Sequence, residues 1–196
     1  ARDYPNSLRA REALIRVAQM MMQDGQTAAV PPTLKPLIAK DDGTGLLLPA
    51  KAYEQTGDST RALANYRRVY FFAPASAEAS EAATAITRLG SSTAPATADE
   101  AKARAEKLFA AKRYSEAYDA YTSLFLGSPA SATAELAGRR VIAAANARRF
   151  AEAASGLSAA SGEARAEAMF NIALNYARAK QWAQARTTAE DLRRQF

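Results

Sequence analysis

Carboxylates are the main side chains in this sequence that could act in acid–base chemistry, because the 196-residue chain contains neither histidine nor cysteine. Ser-His-Asp, Cys-His and His-zinc chemistry and disulfide bonds are therefore excluded within these residues. The carboxylates, for example Glu12, Glu78 and Glu116, lie on helical patterns rich in alanine and arginine, where a solvated helix face is their ordinary role. No phosphate-binding loop is present. We therefore expect a segment that is not an enzyme by itself and that has no catalytic residue, no cofactor and no metal.

The charge balance is mildly basic, with 26 Lys and Arg against 20 Asp and Glu and a formal charge of +6. The excess is spread along the chain, which is typical of a solvated surface, with contact to an anionic polymer as the alternative. No Lys/Arg block with interleaved aromatic residues occurs, so we expect no nucleic-acid partner. No apolar run approaches the roughly 18 residues of a membrane helix, so we expect no membrane span.

The elements that position these side chains are predicted to be helices, since Ala, Leu, Glu, Arg, Lys and Gln dominate and no stretch alternates with period two. Helix boundaries can be located from their punctuation. Asp58 and Ser59 indicate a helix start, Pro74 a stop, and Gly90 the end of the next helix. The Gly-Thr-Gly stretch at 43–45 is predicted as a turn. The fold class is all-α.

A recurrent pattern appears when the second helices of successive helix pairs are aligned on one alanine. Relative to that alanine, aromatic residues recur four residues later and three and nine residues earlier, and a proline recurs twelve later. A small residue at the alanine lets two helices approach closely, and the proline ends the unit. The predicted repeat-core residues are the alanines Ala62, Ala117, Ala153 and Ala185, then Tyr66 and Tyr121, then Pro74 and Pro129, then Tyr114, Phe150 and Trp182, and finally Tyr53 and Tyr176.

This register resembles that of tetratricopeptide (TPR) repeats, which are helix–turn–helix units of 34 residues. The last three anchor alanines are spaced by 36 and 32 residues, close to that period. The resemblance implies a right-handed α-solenoid of TPR-like repeats. The glycine that TPR repeats usually carry at position eight of their pattern is replaced in this sequence. Pro49 falls inside the pattern, so we expect it in the first turn of its helix.

The spacing between the first two anchors, 55 residues from Ala62 to Ala117, exceeds one period by about 21 residues. A helix at 75–90 without a partner helix and a small, polar linker at 91–97 account for the excess. We therefore expect N-terminal TPR-like repeats over 1–90, the linker 91–97 and C-terminal repeats over 98–196, forming one continuous solenoid. The stretch 3–7 resembles the exit turn of a preceding repeat, so we expect an internal piece of a longer protein.

The binding surface that the TPR resemblance implies is a concave groove lined by the first helix of each pair. The Lys/Asn clamp with which chaperone-binding members hold a C-terminal carboxylate is not reproduced, which argues against that class of partner. The later part of the groove is apolar and would suit another helix. The predicted concave-face binding residues are Leu47, Lys51, Glu54, Lys102, Glu106, Phe109, Phe170 and Leu174.

Two further features have alternative interpretations. Trp182 could be a ligand platform, but its place in the repeat predicts a core residue. Met20–Met22 could form an adaptable binding surface, and core filling at the end of a helix is the favoured interpretation.

A narrower resemblance rests on the order of elements after Ala62. The turn YFFAPASAEA at 70–79 leads to one helix, a break, and then ARAEKLFAAKRYSEAYDAY. This order is similar to the non-catalytic superhelical region of bacterial soluble lytic transglycosylases. That family would imply a periplasmic or envelope-associated protein acting on peptidoglycan, with its catalytic domain outside this segment. Its partner would be that domain, another helical segment or peptidoglycan. The alternative is a generic TPR adaptor for protein–protein interaction in the bacterial envelope.

Overall fold

The computed structural model describes residues 8–196, and within them the prediction of an all-α fold is confirmed, with no strand. The stretch 3–7, predicted as an exit turn, lies outside the described residues. Short 3₁₀ turns at 27–29, 129–131 and 157–159 join some of the helices. The helices are α1 Leu8–Gln23, α2 Val30–Ile38, α3 Gly43–Gln55, α4 Ser59–Phe72, α5 Ala79–Arg88, α6 Ala98–Ala110, α7 Tyr114–Gly127, α8 Ala134–Asn146, α9 Phe150–Gly156, α10 Gly162–Arg178 and α11 Trp182–Gln195.

The chain divides into two compact units with the boundary between Pro95 and Ala96. The first unit contains α1–α5 and has two apolar cores, one shared by α1, α2 and α3 and one shared by α3, α4 and α5. The second unit contains α6–α11 and also has two cores, one around α6, α7 and α8 and one around α8, α9 and α10. Each unit thus buries its own apolar residues.

The anchor alanines lie where a second helix meets its first helix. Ala62, Ala117 and Ala153 are completely buried. An alanine at such a position lets two helix axes come close, because no larger side chain separates them. Ala185 is only half-buried, since α11 packs mainly on α10.

The turn between the two helices of a pair has the same backbone conformation four times. The residue five before each anchor alanine is left-handed, with φ of +77° at Gly57 and +60° at Lys112, Arg148 and Lys180. The next residue donates its N–H to the carbonyl five residues earlier, at 2.8–2.9 Å. These bonds form a Schellman motif, which satisfies carbonyls at the end of the first helix. The four helix pairs therefore share a turn geometry as well as a sequence register.

The Gly-Thr-Gly stretch begins α3, so its prediction as a turn is wrong. Asp42 caps this helix by accepting a hydrogen bond from the N–H of Gly45 at 2.9 Å. Glycine is needed here for close packing. A Cβ atom would lie 2.5 Å from Ser76 Oγ if added at Gly43, and 2.5 Å from Leu37 Cβ if added at Gly45. The glycines therefore admit neighbouring elements against the first turn of a helix.

The prediction that Pro49 lies in the first turn of its helix is also wrong. The cap at Asp42 starts α3 earlier than the repeat pattern indicates, and Pro49 becomes a buried residue inside the helix. A proline there cannot donate a hydrogen bond to the preceding turn, so one carbonyl of that turn loses its helical partner.

The helix predicted over 75–90 is shorter in the structure. Pro74 is buried and begins a run of turns, and α5 starts only at Ala79. Its end agrees with the prediction, since Gly90 is left-handed with φ of +74° and follows the last turn.

The prediction that Trp182 fills a repeat core is wrong, because its side chain is 66% exposed at the first residue of α11. Its counterparts have aromatic neighbours: Phe150 stacks on Tyr176 with centroids 4.4 Å apart, and Tyr114 packs on a ring of α6. Within residues 8–196, no aromatic ring packs on Trp182. Among the other predicted core residues, Tyr66, Pro74 and Tyr121 are buried, Tyr53, Tyr114, Phe150 and Tyr176 are half-buried, and Pro129 is exposed.

Candidate functional site

A groove in the first unit is lined by residues of α1, α3 and α5 and by Tyr66 of α4. It consists of two adjoining parts of about 510 and 340 Å³, which share Met22 and Gln55 in their walls. We refer to it as the α1–α3–α5 groove. The first part is lined by Arg16, Gln19, Met20, Met22, Gln23 and Gln55, and the second by Met22, Lys51, Glu54, Gln55, Tyr66, Glu81 and Arg88.

The structure places two of the predicted concave-face residues, Lys51 and Glu54, in the wall of this groove. Leu47, one helical turn before Lys51, is not available to a ligand. It is only 5% exposed and belongs to the buried cluster that α3, α4 and α5 share. Its assignment to the binding surface is therefore wrong, because α4 and α5 enclose that part of α3.

Ion pairs join α3 to α5 across the second part of the groove. Lys51 Nζ lies 2.6 Å from Glu81 Oε1, and both oxygens of Glu54 accept hydrogen bonds from Arg88. Tyr66 also donates its hydroxyl to Glu54, at 2.7 Å. The hydrogen bond from Arg88, followed by that from Tyr66, lowers the pKa of Glu54. Burial and the contact with Glu54 raise the pKa of Tyr66 above its ordinary value.

The first part of the groove differs, because its polar side chains have no partners. The side chains of Arg16, Gln19, Gln23 and Gln55 make no hydrogen bond or ion pair with any residue in 8–196. These residues were not singled out from the sequence. Their helical spacing on α1, three and then four residues apart, could have identified one polar stripe.

The methionine run at the end of α1 divides between core and surface. Met21 and Met22 pack against the buried cluster of α1, α2 and α3. Met20 is 53% exposed and lines the groove, so the prediction of core filling is wrong for this residue. On a helix, adjacent residues point in different directions, and a run of three cannot all face one core.

A second groove, of about 390 Å³, lies in the second unit between α6 and the start of α8. The predicted residues Lys102 and Glu106 line it. Arg139 bridges two acidic residues of its wall, with Nη1 at 3.1 Å from Glu106 and Nη2 at 2.7 Å from Glu135. Phe109, the third predicted residue on α6, lies outside the lining and is half-buried in the core.

Tyr121 lies behind this second groove as the counterpart of Tyr66, but it lacks an equivalent acceptor. Its hydroxyl is buried without a hydrogen-bond partner among the residues described. Twelve residues before Tyr66 stands Glu54, whereas the same offset from Tyr121 gives Phe109. Burial raises the pKa of Tyr121 to about 12, and the nearby charge of Arg139 acts in the opposite direction.

The last two predicted residues, Phe170 and Leu174 on α10, do not line any of the grooves described above. Phe170 is 57% exposed and Leu174 is half-buried. Their counterparts on α8 are covered: Gly138 packs so closely that a Cβ atom would lie 3.0 Å from the carbonyl oxygen of Ala164, and Ile142 is buried. The apolar groove expected along α8 is therefore closed by α10.

No group of three or more His, Cys, Asp or Glu residues within 8–196 is arranged to hold a metal ion. Over the same range, no helix combines the length and the apolar character required to cross a membrane.

Comparison with known proteins adds no further constraint on this site. No protein-family model matches the chain. None of the curated proteins matches it either.

Proposed function

We propose that this chain is a non-catalytic scaffold of TPR-like repeats, arranged as a right-handed α-solenoid, that binds another polypeptide. The observation that carries the proposal is the recurrence of one left-handed turn at the same distance from four anchor alanines. The turn itself is common at helix ends, and α1, α2 and α5 also finish with it. What recurs in the four pairs is its fixed distance of five residues from an alanine of the next helix. A repeated unit explains this fixed distance, because each first helix must turn back onto its second helix with the same geometry.

The α1–α3–α5 groove supports a binding role. It is open to solvent, its walls come from four separate helices, and one part of it carries polar side chains without partners among residues 8–196. The helices fix the backbones that carry these groups, and ordering each long side chain on binding costs about 0.5–1.5 kcal/mol. The predicted residues Lys51 and Glu54 lie in its wall.

The binding proposal is tested by selecting peptides from a displayed library of random sequences with the full 196-residue chain. We expect peptides that bind saturably, with one peptide per chain, in isothermal titration calorimetry. The absence of any saturable binder would contradict the proposed function. Release of soluble fragments from purified peptidoglycan by the chain alone would contradict its non-catalytic character.

A narrower proposal places this scaffold in a periplasmic lytic transglycosylase, with the catalytic domain elsewhere in the polypeptide. It is favoured by α5, a single helix that follows the buried Pro74 and precedes the 91–97 stretch, as the resemblance requires. The partner would then be an intramolecular helical or catalytic domain. The competing proposal is a generic TPR adaptor in the bacterial envelope.

The coding sequence that follows the codon for Phe196 separates these two proposals. A lysozyme-like domain encoded there supports the transglycosylase, and a stop codon close to Phe196 contradicts it and favours the adaptor. Either result leaves the binding role of the groove to be tested by the peptide selection.

A further inference from the structure

We propose that Arg67 on α4 holds residues 91–95 as a fixed strap, and that loss of this contact turns them into a flexible, protease-sensitive linker. The strap is the end of the first unit, immediately before the boundary between Pro95 and Ala96. This inference goes beyond the proposed binding role, because it concerns a conformational device in the connecting chain and not a binding surface.

The composition of this part of the chain is that of a flexible linker. The stretch 91–97 reads SSTAPAT, which consists of small residues and one proline. In the structure these residues form no helix or strand of their own, so their order must come from contacts with neighbouring elements. Such contacts are present in the middle of the strap and at both of its ends.

The contact in the middle is made by the guanidinium of Arg67. Its Nη1 donates a hydrogen bond to the carbonyl oxygen of Ser92 at 2.7 Å, and its Nη2 donates to that of Ala94 at 3.1 Å. The N–H of Ala94 donates in turn to Ser92 Oγ at 3.0 Å. Because a guanidinium presents its donors in a rigid, planar fork, one side chain fixes two carbonyls of the strap at once.

Arg67 is itself positioned by its own helix. Its guanidinium carbon lies 4.9 Å from the centre of the Phe71 ring, and the four-residue spacing places the two side chains on one face of α4. Phe71 is buried, and Tyr70 packs edge-on against its ring with centroids 5.0 Å apart. The ring restricts the guanidinium independently of the strap, which lowers the entropic cost of the two hydrogen bonds.

The two ends of the strap are bonded to the helices that flank it. The N–H of Ser91 donates to the carbonyl oxygen of Ile86 at 3.0 Å, in the turn that ends α5. Directly after the strap, the N–H of Ala96 donates to Glu100 Oε2 at 2.7 Å, in the first turn of α6. Pro95 has a fixed φ. With its ends held in this way, the strap depends on Arg67 for the position of its middle.

Cleavage by a protease reports on this contact, because exposed segments of small and polar residues are preferred cleavage sites. The carbonyls of Ser92 and Ala94 are bonded to Arg67, so the strap must leave α4 before a protease can bind it. When opening and closing are fast, the cleavage rate follows the population of the open form. None of residues 91–95 belongs to a buried cluster, so opening leaves the cores intact.

The experiment treats the full chain with pancreatic elastase, which cleaves after small residues, and identifies the products by mass spectrometry. We expect the unsubstituted chain to be cleaved slowly within 91–95. Arg67→Ala should raise the rate there at least about tenfold, since one hydrogen bond from a charged group is enough to change an equilibrium by that factor. Arg67→Lys, which keeps the charge but lacks the fork, should give an intermediate rate.

Backbone ¹⁵N relaxation of the same proteins measures the order of the strap directly. We expect order parameters of about 0.85 at the amides of Ser92, Thr93 and Ala94 in the unsubstituted chain, and values below about 0.6 in Arg67→Ala. Circular dichroism should show unchanged helix content in this variant, because alanine is the best helix former.

The matched control is Arg61→Ala on the same helix. The guanidinium of Arg61 also lies over an aromatic ring, 5.2 Å from the centre of Tyr53, and pairs with Asp58 at 2.8 Å. It makes no hydrogen bond with residues 91–95. Its removal should therefore leave the cleavage rate and the order parameters of the strap unchanged.

Order parameters below about 0.6 in the unsubstituted chain would overturn the inference whatever the variants show. Equal cleavage rates of the unsubstituted chain and Arg67→Ala would also overturn it, as would an equal effect of Arg61→Ala. These results do not depend on peptide binding by the α1–α3–α5 groove, which the library selection tests separately.

Discussion

Gly57 and Lys112 occupy the same left-handed position at the ends of α3 and α6, with φ of +77° and +60°. The glycine adopts this conformation without strain, whereas a lysine there brings Cβ too close to its own carbonyl group. Arg148 and Lys180 occupy the two further copies of this turn. Three of the four turns therefore carry a residue that is not the most stable choice.

Exchange of residue types at these turns should change the free energy of unfolding in opposite directions. Lys112→Gly should raise it by about 0.5 kcal/mol or more, because the strain is removed, and Gly57→Ala should lower it by about 1 kcal/mol. Urea denaturation measures both. Lys102→Gly, in the interior of α6, is the control and should lower stability by about 1 kcal/mol. A destabilising Lys112→Gly would contradict the common turn geometry.

Asp42 links the cap of α3 to α1. Its carboxylate accepts from Arg11 Nε at 2.6 Å and from the N–H of Gly45 at 2.9 Å. Burial alone would raise the pKa of Asp42, but these hydrogen bonds outweigh it and lower the pKa. A lowered pKa means that the stabilisation is complete above the unfolded value of about 3.9 and is lost as the pH falls through the folded value.

The variant Asp42→Asn should reduce this acid sensitivity. Asparagine keeps an oxygen that can cap the helix but carries no charge for Arg11. We expect the free energy of unfolding to fall less steeply between about pH 5 and about pH 2 than in the unsubstituted chain, as measured by urea titrations across that range. An unchanged slope would show that Asp42 makes no pH-dependent contribution.

Close approach between elements depends on two glycines within helices, Gly45 on α3 and Gly138 on α8. Added Cβ atoms would lie 2.5 Å from Leu37 Cβ and 3.0 Å from the carbonyl oxygen of Ala164, respectively. Both contacts fall below ordinary van der Waals distance. These glycines set how tightly α3 meets α2 and how tightly α8 meets α10.

The variant Gly45→Ala should therefore lower the free energy of unfolding by about 1–3 kcal/mol, as overpacking of a core usually does. Gly127→Ala on α7 is the matched control, since no atom lies within 4 Å of the added Cβ and the backbone is not left-handed. The control should be neutral or stabilising by about 0.5 kcal/mol. Thermal melts of both variants distinguish the two effects, and equal melting temperatures would contradict the close packing at Gly45.

The helices themselves were largely predictable because their ends are determined locally. Caps and stops such as Asp58, Pro74 and Gly90 depend on a few neighbouring residues. The start of α3 was not predictable in this way, since its glycines are explained by contacts with Leu37 and Ser76, which are distant in sequence. The exposure of Trp182 likewise depends on which helix lies beside it.

At the scale of the whole molecule, repeat register predicted part of the candidate site. Lys51 and Glu54 lie in the α1–α3–α5 groove as the register implies. Arg16 and Gln19 were missed because the N-terminal unit fits the repeat pattern poorly, with three prolines in its second helix. Which charged side chains of the groove are paired could not be predicted from the sequence either, because the ion pair of Lys51 with Glu81 depends on the packing of α5 against α3.

The central claim is that the α1–α3–α5 groove of the first unit binds a peptide, and the four methionines of the chain allow a direct test. Met20 and Met22 line the groove, whereas Met169 is buried on α10 in the second unit. The measurement is a titration of the ¹³C-methyl-methionine NMR signals of the full chain with a selected peptide. We predict saturable shifts of the Met20 and Met22 signals with no change at Met169. Unchanged Met20 and Met22 signals at saturating peptide would contradict the claim.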